Sequence, residues 1–299
     1  MSARAVIITN PAAARTAPEA VNAVIRTFER AGWRTELLAT GGHGDARQIA
    51  AYAVEQGVDV VAVFGGDGTT MQAAAALVGT EVALGVIPGG TGNLLAGNLR
   101  IPLSPERAAQ VLVKGRPAPF DLGRLMRDDG DNYFAVACGT GMDAMVMGQT
   151  PSAQKRKWGI GAYLATTFRL LPEIRSVPHL ITVDDVEYEA NAALVLVANC
   201  GEMIPPIIKI RDGIRPDDGI LDVVVLRADS VAQSMGAMWD LLRQDGGADA
   251  RVAYLRGRHI KVESLEPRPV QLDGDEAGAT PFDIQVVPGA IRIMLPASA

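Results

Sequence analysis

The chain has 299 residues, 48% hydrophobic and 21% charged, a globular composition long enough for two domains. Its formal net charge of −6 argues against nucleic acid as a partner. Two separated cysteines, Cys138 and Cys200, and three scattered histidines, His43, His179 and His259, give neither a CxxC zinc pattern nor a histidine metal cluster, and no apolar run reaches the roughly 20 residues of a membrane span.

The opening MSARAVIITNP reads as a first strand, Arg4 to Thr9, ending in Asn10-Pro11, and not as a signal peptide, so a cytoplasmic location is expected. Pro18 to Gly32 then places Val21, Val24, Ile25, Phe28 and Ala31 at helical spacing, with Gly32 as the stop. Arg34 to Ala39 reads as a strand, and Asp45 as the N-cap of a helix running to Gln56. Val58 to Phe64 and Val82 to Ile87 are buried strands, and Leu94 to Leu99 is a short helix. Alternating strands and helices imply parallel strands joined by crossovers, an open α/β sheet.

After Pro117 the rhythm changes. Short apolar runs follow one another: Phe120 to Leu125, Tyr133 to Cys138, Leu180 to Val183, Leu194 to Asn199, Leu221 to Leu226, Val252 to Leu255, His259 to Val262, Val270 to Leu272, Ile284 to Val287 and Ile291 to Leu295. Helical patterns over Trp158 to Leu171 and Ser230 to Arg243 interrupt them. The expectation is an α/β N-terminal domain with an open parallel sheet, residues 1–117, and a C-terminal β-sandwich domain, residues 118–287, with the segment 288–299 returning to the first.

Two loops concentrate the chemistry. In VVAVFGGDGTT, Val60 to Thr70, a buried strand ends in Gly65, Gly66, Asp67, Gly68 and Thr69, with a helix beginning near Thr70. Glycines there allow close backbone approach and positive φ, and helix N-terminal amides favour a phosphate. Asp67 adds a carboxylate for magnesium. Ile87 to Asn93, IPGGTGN, repeats the arrangement after the next strand with Gly90, Thr91 and Asn93. Loops at the C-terminal ends of neighbouring strands of an α/β sheet point to one phosphate or nucleotide site. It is not a Walker A loop, because no Gly-Lys-Ser/Thr follows. Gly139 to Ala144, GTGMDA, fits a dinucleotide pattern only weakly, since no acid follows between Asp143 and Glu173; its glycines read as a turn.

GGDGT followed by PGGTGN resembles the diacylglycerol kinase catalytic family, which includes bacterial soluble lipid kinases and sphingosine kinases, and more distantly NAD kinases. The resemblance spans nearly the whole chain: Asn10-Pro11, Gly41 to Asp45, Phe120 to Gly123, Asn132 to Asp143, Lys155 to Tyr163, Arg215 to Val224 and Asp273-Gly274-Asp275. It departs where the family carries Asn-Glu and this chain has Met71-Gln72, and where a late Asp-Gly-Glu is Asp-Gly-Asp followed by Glu276. The resemblance implies an ATP-dependent kinase acting on a hydroxyl of diacylglycerol or a related lipid. It implies Mg2+ and ATP as cofactors and transient contact with the inner membrane face, and it leaves a homodimer open. An NAD kinase-like enzyme and a non-catalytic nucleotide or lipid sensor are the alternatives.

The resemblance also assigns roles. Asn10, Gly65, Gly66, Asp67, Gly68, Thr69, Gly90, Thr91 and Asn93 become nucleotide-binding residues. Alone, Asp273-Gly274 reads as a hairpin turn. Joined to the resemblance, Asp275 is the general base for the lipid hydroxyl, aligned through Gly278 and Pro281, with Glu276 as the alternative and Asp273 as a metal or orienting neighbour. Asp121 becomes a second active-site carboxylate, a surface acid at a strand edge being the competing reading. Asp217 and Asp218 become ligands of a structural magnesium, against a solvated acidic turn. Lys155 to Lys157 could meet anionic headgroups or simply start a solvated helix, and Met203 to Ile208 could admit lipid or form a buried loop.

Overall fold

A computed structural model describes residues 2–127, 130–141, 176–206, 208–228, 230, 233, 236 and 251–297, with the side chains of 204 and 208 outside the description. The chain divides into two compact units, Met1–Phe120 with Gly289–Ala299, and Asp121–Pro288. No described helix is long and apolar enough to cross a membrane.

The first unit begins with β1 (Arg4–Thr9), α1 (Pro18–Arg30), β2 (Arg34–Ala39), α2 (Asp45–Glu55) and β3 (Val60–Gly65). It continues with α3 (Asp67–Leu77), β4 (Ala83–Pro88), α4 (Leu94–Asn98) and α5 (Pro105–Lys114). The sheet order is β2-β1-β3-β4, all parallel. The chain steps from β1 to β2 on one side, then crosses back to β3 on the other. Right-handed crossovers therefore put α1 on one face and α2 and α3 on the opposite face; α1 packs with α5, and α2 with α3. Helices on both faces explain why β3 and β4 are apolar and buried at every position, without alternation. The edge strand β2 is mostly exposed.

The second unit is antiparallel. Its elements are β5 (Arg116–Met126), β6 (Asn132–Phe134), β7 (Ala137–Gly141), β8 (Val177–Val183), β9 (Val186–Ala192), β10 (Leu194–Ala198), β11 (Glu202–Ile204) and β12 (Ile208–Lys209). They continue as β13 (Leu221–Leu226), β14 (Val252–Gly257), β15 (His259–Ser264), β16 (Pro269–Leu272), β17 (Asp275–Ala279) and β18 (Phe282–Leu295). One sheet runs β14-β13-β10-β7-β16-β17, and the start of β18 joins β15, β8 and β9 in the other. Their apolar faces enclose a core that includes Leu125, Phe134, Ile181, Val195, Val223 and Ile260. This is a β-sandwich. β5 and β18 carry the chain between the units, and the last part of β18 pairs with β4 through Arg292 and Ile293.

Several local expectations are corrected. Tyr133 to Cys138 is not one strand: it breaks at Ala135 and Val136. Ile284 to Val287 and Ile291 to Leu295 are one strand, β18, running through Pro288-Gly289. Gly139 and Gly141 lie within β7, paired with Leu196 and Leu194, and do not form a turn. β9, VEYEANA, escaped the apolar pattern because as an edge strand it is largely exposed. Residues 142–175, and with them Lys155 to Lys157 and Trp158 to Leu171, lie outside the described residues, as does most of Ser230 to Arg243.

Candidate active site

The strand-order reversal falls between β1 and β3, and the loops after β1, β3 and β4 carry the sequence-predicted nucleotide residues. Asn10 follows β1. Its Nδ2 donates to Thr69 Oγ1 at 3.1 Å, and its Oδ1 accepts from the Ala12 amide at 3.0 Å. Only Gly66 separates β3 from α3, so the helix begins at Asp67 rather than near Thr70. Gly66 is extended at φ −89° and ψ 178°, and no glycine of this loop has positive φ. What the glycines supply is proximity. A Cβ on Gly90 would stand 2.6 Å from Gly66 Cα, and the Gly89 amide donates to the Gly65 carbonyl at 2.8 Å. The two glycine loops therefore touch backbone to backbone at the C-terminal ends of β3 and β4.

Asn93 closes the second loop. It sits in the left-handed region at φ 51°, its Oδ1 accepts from the Gly90 amide at 2.9 Å, and its Nδ2 donates to the Gly90 carbonyl at 2.8 Å. Asp67 Oδ1 accepts from the Leu95 amide at 3.3 Å, tying the start of α3 to the start of α4. The first-turn amides of α3 lack intrahelical acceptors, which suits an anion. Gln72 serves the fold, its Oε1 accepting from the Gly44 amide at 3.0 Å. Asp45 is not the N-cap of α2; Gly44 is, at φ 90°, and Asp45 Oδ2 instead gathers the Gly41 and Gly42 amides at 2.7 and 2.8 Å.

In the second unit Asp121 is 2% exposed, which removes the surface-acid reading. Its Oδ2 accepts from the Gly219 amide at 2.7 Å, and its amide donates to the Pro216 carbonyl at 2.7 Å. The structure thus joins two separately predicted features, Asp121 and the acidic 216–219 turn. Asp217 forms a two-pronged pair with Arg215, both contacts 2.9 Å. Asp218 accepts from Arg256 Nη2 at 2.8 Å and from the Ile220 amide at 3.1 Å. Arg256 also pairs with Asp222 at 3.3 Å. Burial pushes the Asp222 carboxyl up, Arg256 opposing.

The two acids expected to hold a structural magnesium are paired with arginine in this structure. Asp217 and Asp218 each already face a guanidinium, and the Pro216 carbonyl is taken by the Asp121 amide. Among the described residues no cluster of three or more His, Cys, Asp or Glu is placed to hold a metal ion. Of the Met203 to Ile208 segment, Met203 lies in β11, which pairs with β12, and Pro206 is exposed, while residue 207 lies outside the described residues.

Asp273 and Gly274, at φ 47° and 92°, form a two-residue hairpin turn between β16 and β17. The Asp273 carboxylate accepts from the amides of Ala135, Val136 and Ala137 at 2.8, 2.8 and 2.9 Å. It anchors the hairpin to the break between β6 and β7. Asp275 lies opposite Leu272, and Glu276 opposite Gln271. Side chains alternate along a strand, so the two acids leave opposite faces. Asp275 shares the face of Leu272, which packs on the sandwich core, and Glu276 shares the face of Gln271. Both acids are exposed.

Sequence reasoning missed Asn199, which is fully buried at the end of β10 and donates to the carbonyls of Asp121 and Ala135, both at 2.8 Å. An amide closing the apolar run ALVLVAN was the available signal.

The chain is similar to known proteins over nearly its whole length. Residues 4–125 match the family described as Diacylglycerol kinase catalytic domain, and residues 136–295 the YegS C-terminal NAD kinase beta sandwich-like domain. A diacylglycerol kinase of Mycobacterium tuberculosis is 29% identical over 97% of this chain and 94% of its own. A protein of Chromohalobacter salexigens named a probable YegS-like lipid kinase is 30% identical over 93% of this chain and 89% of its own. A crystal structure of a Bacillus anthracis protein of diacylglycerol kinase type superposes with a TM-score of 0.82 at 26% identity, covering 98% of this chain and 95% of the other. With its parallel α/β unit, its paired glycine loops and its β-sandwich, the chain belongs to the diacylglycerol kinase-like family of lipid kinases.

Proposed function

We propose that the chain transfers the γ-phosphate of ATP to a hydroxyl of diacylglycerol or a related lipid. The observation that carries this reading is the backbone contact of the two glycine loops at the C-terminal ends of β3 and β4, with Asp67 beside them. Helix-terminal amides and close-packed glycines suit the phosphates of a nucleotide. Asp67 supplies hard oxygen donors for the magnesium of Mg-ATP, which neutralises phosphate charge when bound. Asp275 takes the proton of the lipid hydroxyl as its oxygen bonds to the γ-phosphorus and the bond to the β–γ bridging oxygen breaks, releasing ADP. Asp121 and Asp273 hold the surrounding backbone. The lipid is presented at a membrane surface, where the protein binds peripherally.

A panel of diacylglycerol, monoacylglycerol, sphingoid base, phosphatidylglycerol and NAD with γ-labelled ATP tests the reading. Label is expected in a lipid product. Label in NAD alone reassigns the enzyme, and ATP binding without turnover across the panel marks a sensor. Asp275→Asn is expected to lower kcat about 10²–10⁴-fold with the KM for ATP nearly unchanged, and Glu276→Gln to do much less. The reverse ranking moves the base to Glu276.

A further inference from the structure

Asn199 holds more of the second unit together than its position at a strand end requires. Its two Nδ2 protons go to the carbonyls of Asp121 and Ala135, which fixes the orientation of the amide: with oxygen and nitrogen exchanged, an acceptor would face two acceptors. The backbone amides of Asn199 and Cys200 both donate to the Val136 carbonyl, at 2.9 and 3.1 Å. The Cys200 thiol donates to the Ala135 carbonyl at 3.2 Å. The same 135–137 segment gives its three amides to Asp273. One short turn is thus gripped from one side by Asn199 and from the other by the hairpin that carries Asp275, and Asn199 also grips residue 121.

The arrangement has a cost. Asn199 Oδ1 is buried and has no hydrogen-bond donor among the described residues. A valine would remove that unpaired acceptor but would take the Nδ2 donor away from the Asp121 and Ala135 carbonyls. The side chain therefore serves what its Nδ2 protons hold.

We propose that Asn199 is a positioning residue for phosphoryl transfer, setting the Asp275 hairpin against the Asp121 backbone through the 135–137 turn. The inference rests on the assignment of Asp275 as the base. Displacing a catalytic group by about 1 Å costs on the order of 10²-fold in rate, so loss of this bridge acts on turnover and leaves nucleotide binding, made by the other unit, intact.

The experiment measures kcat and the KM for ATP with 1,2-dioctanoylglycerol in detergent micelles for full-length wild type, Asn199→Ala, Asn199→Ser and Asp275→Asn, with folding followed by circular dichroism. Folded Asn199→Ala is expected to lose about 10²-fold in kcat with the ATP KM within about twofold of wild type. Asn199→Ser, which keeps one donor, is expected to lose less. A wild-type kcat in folded Asn199→Ala overturns the proposal, and so does an ATP KM that rises in step with the loss. Failure of both Asn199 variants to fold also overturns it, because a residue required by the fold itself is not a positioning residue. Wild-type turnover in Asp275→Asn would instead sink the assignment of the base, separately from Asn199.

Discussion

Asn10 and Asn93 have side chains suited to touching a nucleotide, yet the structure engages both in shaping loops. Asn93 joins the amide and carbonyl of Gly90 while occupying a left-handed backbone that costs most residues about 1–2 kcal/mol. Asn93→Ala is expected to lower stability by about 2–3 kcal/mol and weaken ATP binding, whereas Asn93→Gly recovers the backbone part. Thermal melts with and without nucleotide check this, and equal losses in the two variants would refute the backbone contribution. His179 gives a pH prediction. It is 5% exposed, Nδ1 meets the Val177 carbonyl at 2.8 Å, and Nε2 has no partner among the described residues. Burial lowers its pKa, the Val177 contact opposes, and nearby Arg268 adds to the lowering. The unfolded chain therefore binds a proton more readily than the folded one. The stability linked to His179 is fully present above the unfolded pKa of about 6.5 and is lost as pH falls toward the lower folded value. Urea midpoints should drop on acidification below about 6.5, and less steeply in His179→Leu. Identical slopes in both proteins would exclude this histidine.

At the scale of elements, the hairpin of β16 and β17 shows how one sequence feature serves two readings. Asp-Gly is the two-residue turn that period-2 strands require, and its aspartate also collects three amides. Asp273→Ala leaves those amides without their acceptor, at about 1–3 kcal/mol for a buried donor. We expect a loss of several kcal/mol, read as a lower urea midpoint, with Asp273→Asn intermediate; a midpoint equal to wild type would show that water replaces the carboxylate. The acidic turn at 216–219 is closed by arginine. Adding EDTA in the absence of nucleotide should leave the melting temperature unchanged, while Arg256→Met should destabilise at neutral pH by about 1–3 kcal/mol, reduced from a fully buried pair by partial exposure. Asp222, raised by burial, then recovers part of that loss as acid neutralises it. A melting temperature that falls with EDTA would restore the metal at this turn.

At the scale of the whole molecule, the C-terminal residues complete the first unit. Ile291, Ile293 and Met294 are at most 4% exposed, and Arg292 and Ile293 extend the sheet beside β4. Each such side chain is worth about 1.5–3 kcal/mol when buried, against a total stability of about 5–15 kcal/mol. Truncation after Pro288 is expected to abolish cooperative unfolding of the first unit and nucleotide binding with it; retained ATP binding in the truncated protein would contradict this. The sequence by itself determined the fold class, because β3 and β4 are continuous apolar runs while the second half breaks into short strands, and both patterns follow from local periodicity. It also located the glycine loops and the Asp-Gly turn, since few residue types satisfy those backbones. The tertiary structure decided the rest. Close packing of Gly66 on Gly90, the strand-order reversal beside Asn10, the burial of Asp121 against the 216–219 turn, and the bridge made by Asn199 all join residues far apart in the chain. Arg256 decides whether Asp218 is free for an ion, and nothing within the Pro216 to Gly219 segment announces a partner nearly 40 residues away. Periodicity and turn chemistry are local and can be read along the chain, whereas hydrogen-bond partners and burial depend on contacts made only when the chain folds.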